Sequence, residues 1–323
     1  HSQMMPQFAD PSVYRFQPIH FVGGLVIFAV GLFKKVVLAD GVAPYADAVF
    51  GPVDGGAVPG VQEAWLASSA YAFQIYFDFS GYSDMAVGLS WMFNIRLPFN
   101  FNSPYRAASI SEFWRRWHIS LSTFLRDYLY VPLGGNRHGE ARRYLNLAIT
   151  MVLGGLWHGA SWTFVIWGAL HGLYLTCHHA SRAVLSVPLR ERLEASRLHQ
   201  LLAWTLTMLA VVVAWVFFRA TTTDGAFRVL SAMVGSDAMS PPEPLLWNAG
   251  LQLGSGLAWC AVLGAVAFLA PNSNDIGVKV MSNLRNADKL RGVVAGFAGA
   301  AILGLVLVNA ARDSVSAFIY FNF

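Results

Sequence analysis

Apolar runs about as long as a bilayer crossing recur along this chain. Residues 19–39, 201–218, 250–270 and 293–311 form four of them, and residues 61–93 form a longer one with a polar patch inside it. A helix rises about 1.5 Å per residue and a hydrocarbon core is ~30 Å thick, so runs near twenty residues read as membrane helices. Only 12% of the 323 residues are charged and 55% are hydrophobic, far from the balance of a soluble globule. The expected fold class is all-α: a polytopic transmembrane helical bundle with short re-entrant and interfacial helices. No repeat, low-complexity tract or soluble domain interrupts it.

The net charge of +4 does not indicate nucleic-acid binding, because the basic residues form no single stripe. Residues 94–117, 126–143, 181–199 and 271–292 hold four Lys or Arg each, sixteen of the twenty-two. The stretches 40–60, 219–249 and 312–323 hold only Arg219, Arg228 and Arg312. By the positive-inside rule the first set is cytoplasmic. Lys34 and Lys35 fit this poorly, since a simple span over 19–39 carries them outward; a tilted helix or one partly in the protein interior accommodates them. The opening residues 1–18 lack the basic and apolar regions of a signal peptide. Cys177 and Cys260 each lie in an apolar run, which predicts neither a disulfide framework nor a CxxC metal site.

Between the runs, the Gly- and Pro-containing stretch 40–60 reads as a loop, and FDFSGYSDM places Asp78, Ser80, Ser83 and Asp84 inside hydrophobic sequence. Residues 94–109 are Asn-rich and broken by Pro, which predicts irregular chain. From Ser111 to Tyr130, Trp114, Trp117, Leu121 and Leu125 recur at helical spacing with Arg115, Arg116 and Arg126 between them. That pattern predicts an amphipathic helix at the cytoplasmic surface, ended by Pro132 and the Gly-Gly-Asn turn at 134–136. Two further helices follow, 144–157 and 161–178, with almost no connection. The first rises only roughly 20 Å, so the turn holding His158 is expected within the membrane.

His158, in GGLWHGASW, is the first candidate for chemistry. A buried imidazole stays neutral, as a general base requires, and ionisable groups at membrane depth commonly line a cavity. A structural histidine between close-packed helices is the alternative, since Gly155 and Gly159 form a GxxxG pair. His118, in FWRRWHISLS, is the second candidate, set against a structural role at the interface. His171, in GALHG, is expected to pack. Asp78 and Asp84, six residues apart, face nearly opposite sides of a continuous helix and are expected to make polar contacts between helices. Arg115, Arg116 and Arg126 are candidates for binding an anionic donor, as are Arg137, Arg142 and Arg143, although cytoplasmic loops carry such residues anyway. GxSxG, P-loop, HExxH and GxGxxG motifs are lacking. His178-His179 has no companion histidines at diiron spacing, and no metal site is expected.

YFDFSGYSDMAVG at 76–88, SEFWRRWHISLSTFLRDYLYVPLGGNR at 111–137, GGLWHGASWTFVIWGALHG at 154–172 and the ending FIYFNF together resemble the membrane-bound O-acyltransferase family, in its bacterial alginate O-acetyltransferase branch. The resemblance runs in order over nearly the whole chain. It implies a multi-pass protein of the bacterial inner membrane that passes an acetyl group from cytoplasmic acetyl-CoA toward an exported polysaccharide such as alginate. It further implies an exported acetyltransferase partner, a polysaccharide synthase and export machinery beside it, and no bound cofactor. The catalytic histidine of the family's WHG motif falls on His158, and the RWHxS histidine falls on His118. Family members usually carry more helices ahead of this point, so residues 1–323 are expected to be a single membrane-embedded domain without them. Acylation of a lipid or protein is the rival enzyme reading. A transporter or export channel, with Asp78, Asp84 and the histidines as a proton relay, is the rival from another class.

Overall fold

A computed structural model describes residues 4–236 and 244–286, with Gly299, Gly304 and Phe318 as isolated positions. Apart from Gly299, Gly304 and Pro244, the apolar run 293–311 and the Pro-rich stretch 240–244 lie outside the described residues, as does most of FIYFNF. In chain order the helices are α1 Met5–Phe8, α2 Pro18–Phe33, α3 Asp40–Asp54, α4 Val61–Met92, α5 Ile110–Arg116, α6 Ile119–Leu125, α7 Gly139–His158, α8 Trp162–Val184, α9 Val187–Ala195, α10 Arg197–Arg219, α11 Thr223–Met233, α12 Leu245–Asn248, α13 Leu253–Leu269 and α14 Ser273–Asn286. There is no β-strand among the described residues.

Pro18–Asp54 and Arg197–Arg219 are long and apolar enough to cross a membrane; Leu253–Leu269 and Ser273–Asn283, bent by 54°, make a third if taken as one span. The chain is thus an all-helical membrane protein. Three sequence expectations are corrected. The stretch 40–60 is helical as far as Asp54 despite Pro44 and Pro52, because Val42, Ala46, Val49, Phe50 and Val53 recur at helical spacing and are buried. Burial of that face outweighs the local preferences of Pro and Gly. The amphipathic segment 111–130 is two short helices and a π-helical turn rather than one helix. Finally, α7 begins at Gly139 and has 20 residues, a rise of about 30 Å, so shortness no longer argues that its end lies inside the membrane.

The chain divides into two compact units. One gathers the described residues of His1–Gly41, Gln74–Asn102 and Leu269–Asn322. In it α2 and α4 cross backbone to backbone. A Cβ on Gly24 would stand 2.4 Å from the Gly88 carbonyl oxygen, and one on Gly31 would stand 2.5 Å from that of Gly81. Only glycine permits this approach, and small residues are what bring apolar helices together in lipid. The crossing sets Lys34 and Lys35, on the π-helical turn Lys34–Ala39 that continues α2, against the polar patch of α4. Lys35 Nζ donates to Asp78 Oδ1 at 2.6 Å and to Asp40 Oδ1 at 2.9 Å. Lys34 Nζ donates to Asp84 Oδ2 at 2.7 Å and to Ser273 Oγ at 3.0 Å. The two lysines therefore lie in the protein interior. Both aspartates make the expected polar contacts between helices, but they face the same neighbouring turn rather than opposite sides, because six residues separate them by only about 120° around α4.

The other unit comprises Val42–Phe73 and Ser103–Phe268. Its centre is an antiparallel pair, α7 and α8, held close by glycines on both helices. A Cβ on Gly155 would stand 2.2 Å from the Phe164 carbonyl oxygen, and one on Gly168 would stand 2.4 Å from that of Met151. α10 packs on α8. The irregular stretch before α5 is tied to the rest of the unit by a hydrogen bond from the Tyr105 hydroxyl to the Ala72 carbonyl and by one from Trp204 Nε1 to the Tyr105 carbonyl at 2.8 Å.

Candidate active site

His158 is the last residue of α7, and Ser161 caps α8 by accepting from the Thr163 amide at 3.3 Å. Two residues, Gly159 and Ala160, thus separate the histidine from the cap of the returning helix. The imidazole is 6% exposed and sits among aromatic rings: Phe218 at 5.0 Å, Trp157 at 5.1 Å and Trp167 at 5.3 Å between centroids. Trp157, itself 61% exposed, forms the outer side of this cage. Gly159 is required for the cage to close, since a Cβ there would stand 2.6 Å from the Phe164 ring.

His118 occupies the break between α5 and α6. Ser109 caps α5 by accepting from the Glu112 amide, and the helix lasts only to Arg116. His118 then takes a left-handed conformation, φ +42° and ψ +57°, before α6 starts. A non-glycine residue there is strained by about 1–2 kcal/mol, and such strain concentrates at functional sites. Its partly buried ring has Nδ1 3.5 Å from Ser120 Oγ. His118 and His158, forty positions apart, lie near enough for the charge of one imidazole to act on the other. The two histidines that the sequence singled out thus belong to the same compact unit.

His171 is fully buried and belongs to the same cluster. Trp114 Nε1 donates to His171 Nδ1 at 3.2 Å, Phe113 stacks on the imidazole at 6.2 Å with a 7° tilt, and Trp167 lies 4.9 Å away. His171 thus packs as expected, and α8, folding back along α7, places it in this cluster. Trp167 and Trp215 were not singled out from the sequence, and Trp114 figures there only in the amphipathic pattern of 111–130. The i, i+4 spacing of Trp167 and His171 on an otherwise apolar helix was the one available signal.

The arginine candidates separate by partner. Arg116 is held by Glu112 at 2.7 Å and Arg126 by Asp127 at 2.7 Å. Arg115 is exposed, forms no ion pair among the described residues, and acts electrostatically on His178. Arg143 bonds His179 Nδ1 at 2.8 Å. Among the described residues no group of three or more His, Cys, Asp or Glu side chains is placed to hold a metal ion.

The family model of the membrane-bound O-acyltransferases matches residues 1–219. The chain belongs to that family. Among curated relatives, a peptidoglycan O-acetyltransferase of Helicobacter pylori is 40% identical over 343 aligned residues, covering 100% of this chain and 60% of the relative. A probable alginate O-acetylase AlgI of Azotobacter vinelandii is 51% identical over 213 residues, covering 66% of this chain and 40% of the relative. A teichoic acid D-alanyltransferase of Bacillus subtilis is 34% identical over 116 residues, covering 34% of this chain and 29% of the relative. The chain thus spans 60% or less of the length of these relatives. The matched stretch of the family model contains α2 to α10, and with them His118, His158 and His171.

Proposed function

We propose that this chain carries the catalytic centre of a multi-pass inner-membrane O-acetyltransferase. The enzyme takes an acetyl group from acetyl-CoA on the cytoplasmic side and passes it across the bilayer for O-acetylation of an exported polysaccharide. The placement of His118 and His158 in one compact unit, within electrostatic reach of each other and each at the end of a short or folded-back helix, is the observation that carries this reading. The names of the Helicobacter pylori and Azotobacter vinelandii relatives, a peptidoglycan O-acetyltransferase and a probable alginate O-acetylase, support a glycan acceptor over a lipid or a protein. An exported acetyltransferase completes the transfer beside the polysaccharide synthase and export machinery.

In this mechanism the acceptor hydroxyl attacks the thioester carbonyl while the His158 imidazole takes its proton. His118 orients the acyl group or the hydroxyl. His158 then returns the proton to the departing thiolate. Of Arg115, Arg116 and Arg126, Arg115 alone forms no ion pair among the described residues and is the best placed to meet the donor's phosphates.

The transporter reading needs Asp78 and Asp84 as a proton relay. Both carboxylates are already engaged by lysine ammonium groups, which favours acyl transfer. The test is polysaccharide-bound acetate in cells carrying His158→Ala in the intact protein. General base catalysis supplies about 10²- to 10⁴-fold, so acetylation should fall by that factor with folded protein retained. Near-normal acetylation would overturn the assignment.

A further inference from the structure

Three buried nitrogens in the aromatic cluster beside His158 have no hydrogen-bond partner among the described residues: Trp167 Nε1, Trp215 Nε1 and His171 Nε2. Their residues are 2%, 1% and 0% exposed. The three rings touch one another, Trp167 to His171 at 4.9 Å, Trp167 to Trp215 at 6.0 Å and His171 to Trp215 at 6.4 Å, and Trp167 meets His158 at 5.3 Å.

Their chemistry is one-sided. An indole nitrogen only donates. His171 Nδ1 receives the Trp114 indole N–H and so bears no hydrogen; a neutral ring then carries its hydrogen on Nε2. All three groups are donors on neighbouring buried rings, and none meets an acceptor among the described residues. Buried donors left unpaired are rare and costly, and a functional site is among the recognised reasons for them. The missing counterpart is an oxygen that accepts several hydrogen bonds.

On the premise of acyl transfer at His158, we propose that the N–H groups of Trp167, Trp215 and His171 bind the carbonyl oxygen of the acyl group. As the acceptor oxygen bonds to the carbonyl carbon, the π pair moves onto this oxygen and the hydroxyl proton passes to His158. When the pair re-forms the carbonyl, the C–S bond breaks and the thiolate leaves with the proton from His158. The three donors stabilise the oxyanion between these two events, as prearranged donors do in other acyl transfers.

The test removes the N–H and keeps the ring. Trp167 and Trp215 are each replaced by 3-benzothienylalanine in the intact protein, and kcat and KM are measured with acetyl-CoA and the native acceptor. Trp204, whose N–H already has the Tyr105 carbonyl, serves as comparator. Loss of one such donor typically lowers kcat by about 10²- to 10³-fold. The expected result is a fall of that order at Trp167 and Trp215, with KM and thermal unfolding nearly unchanged, and no fall at Trp204. Unchanged kcat at both positions, or a rise in KM alone, overturns the donor assignment while an inactive His158→Ala leaves acyl transfer standing. An active His158→Ala overturns the premise itself.

Discussion

Lys35 Nζ lies 2.6 Å from Asp78 Oδ1, and both side chains are 2% exposed. Removing one partner of a buried ion pair typically destabilises by about 3–5 kcal/mol, because the other charge is left uncompensated. Lys35→Met should therefore lower the stability of the detergent-purified protein by about that amount, read from thermal or denaturant unfolding. The double variant Lys35→Met/Asp78→Leu should recover at least half the loss. Asp40, the second carboxylate on Lys35, is 16% exposed and has some access to solvent once the lysine is gone. No recovery in the double variant would mean that the pair is not the source of the loss.

Glycine at position 155 lets α8 approach α7, and a Cβ there would meet backbone, which cannot move aside. Gly155→Ala should destabilise by about 1–3 kcal/mol. It should also lower acetylation well beyond what the loss of folded protein explains, because it shifts the end of α7 that presents His158. Gly154→Ala is the matched comparison, since its Cβ would meet only the Leu125 side chain at 3.1 Å. Its effect on unfolding should be the smaller of the two; equal effects would argue against the backbone contact.

The left-handed backbone at His118 separates conformation from chemistry. Glycine adopts φ +42° freely, whereas alanine does not. His118→Gly should therefore be more stable than His118→Ala by roughly 1 kcal/mol, while both lose acetylation alike. Retained activity in His118→Gly would show that the imbalance lay in the backbone and that the imidazole has no part in transfer.

Arg115, Arg116 and Arg126 should differ as donor-binding residues. Arg116 and Arg126 are each engaged by a carboxylate, and Arg115 is not. A charge-assisted hydrogen bond contributes about 1.5–3 kcal/mol, so Arg115→Ala should raise KM for acetyl-CoA about tenfold or more. Arg116→Ala and Arg126→Ala should change it less. The same order should appear as a stronger salt dependence of KM for the native protein than for Arg115→Ala.

Much of the helical layout was legible because helices are local objects. Apolar runs at 19–39, 201–218 and 250–270 announced α2 with its continuation, α10 and α13, and the irregular stretch before α5 followed from its Asn and Pro residues. Where prediction failed, longer-range burial had outweighed a local signal. Pro44 and Pro52 suggested a loop, yet α3 persists because five apolar side chains between 42 and 53 are buried on one face. The Trp and Arg periodicity of 111–130 suggested one helix, yet the chain turns at His118, whose own spacing carries no mark of a left-handed residue.

By itself the sequence determined that this is an all-helical membrane protein, that His118 and His158 stand in motifs apart from the rest, and that Lys34 and Lys35 are out of place in a simple span. The tertiary structure alone decided what each polar group meets: Lys34 and Lys35 find Asp84 and Asp78, His118 comes within electrostatic reach of His158, and Trp114 sets the tautomer of His171. The physical reason is range. Helix formation and membrane length depend on neighbours within a few turns, whereas these pairings join residues 40 to 57 positions apart and exist only because glycines let the helix backbones touch.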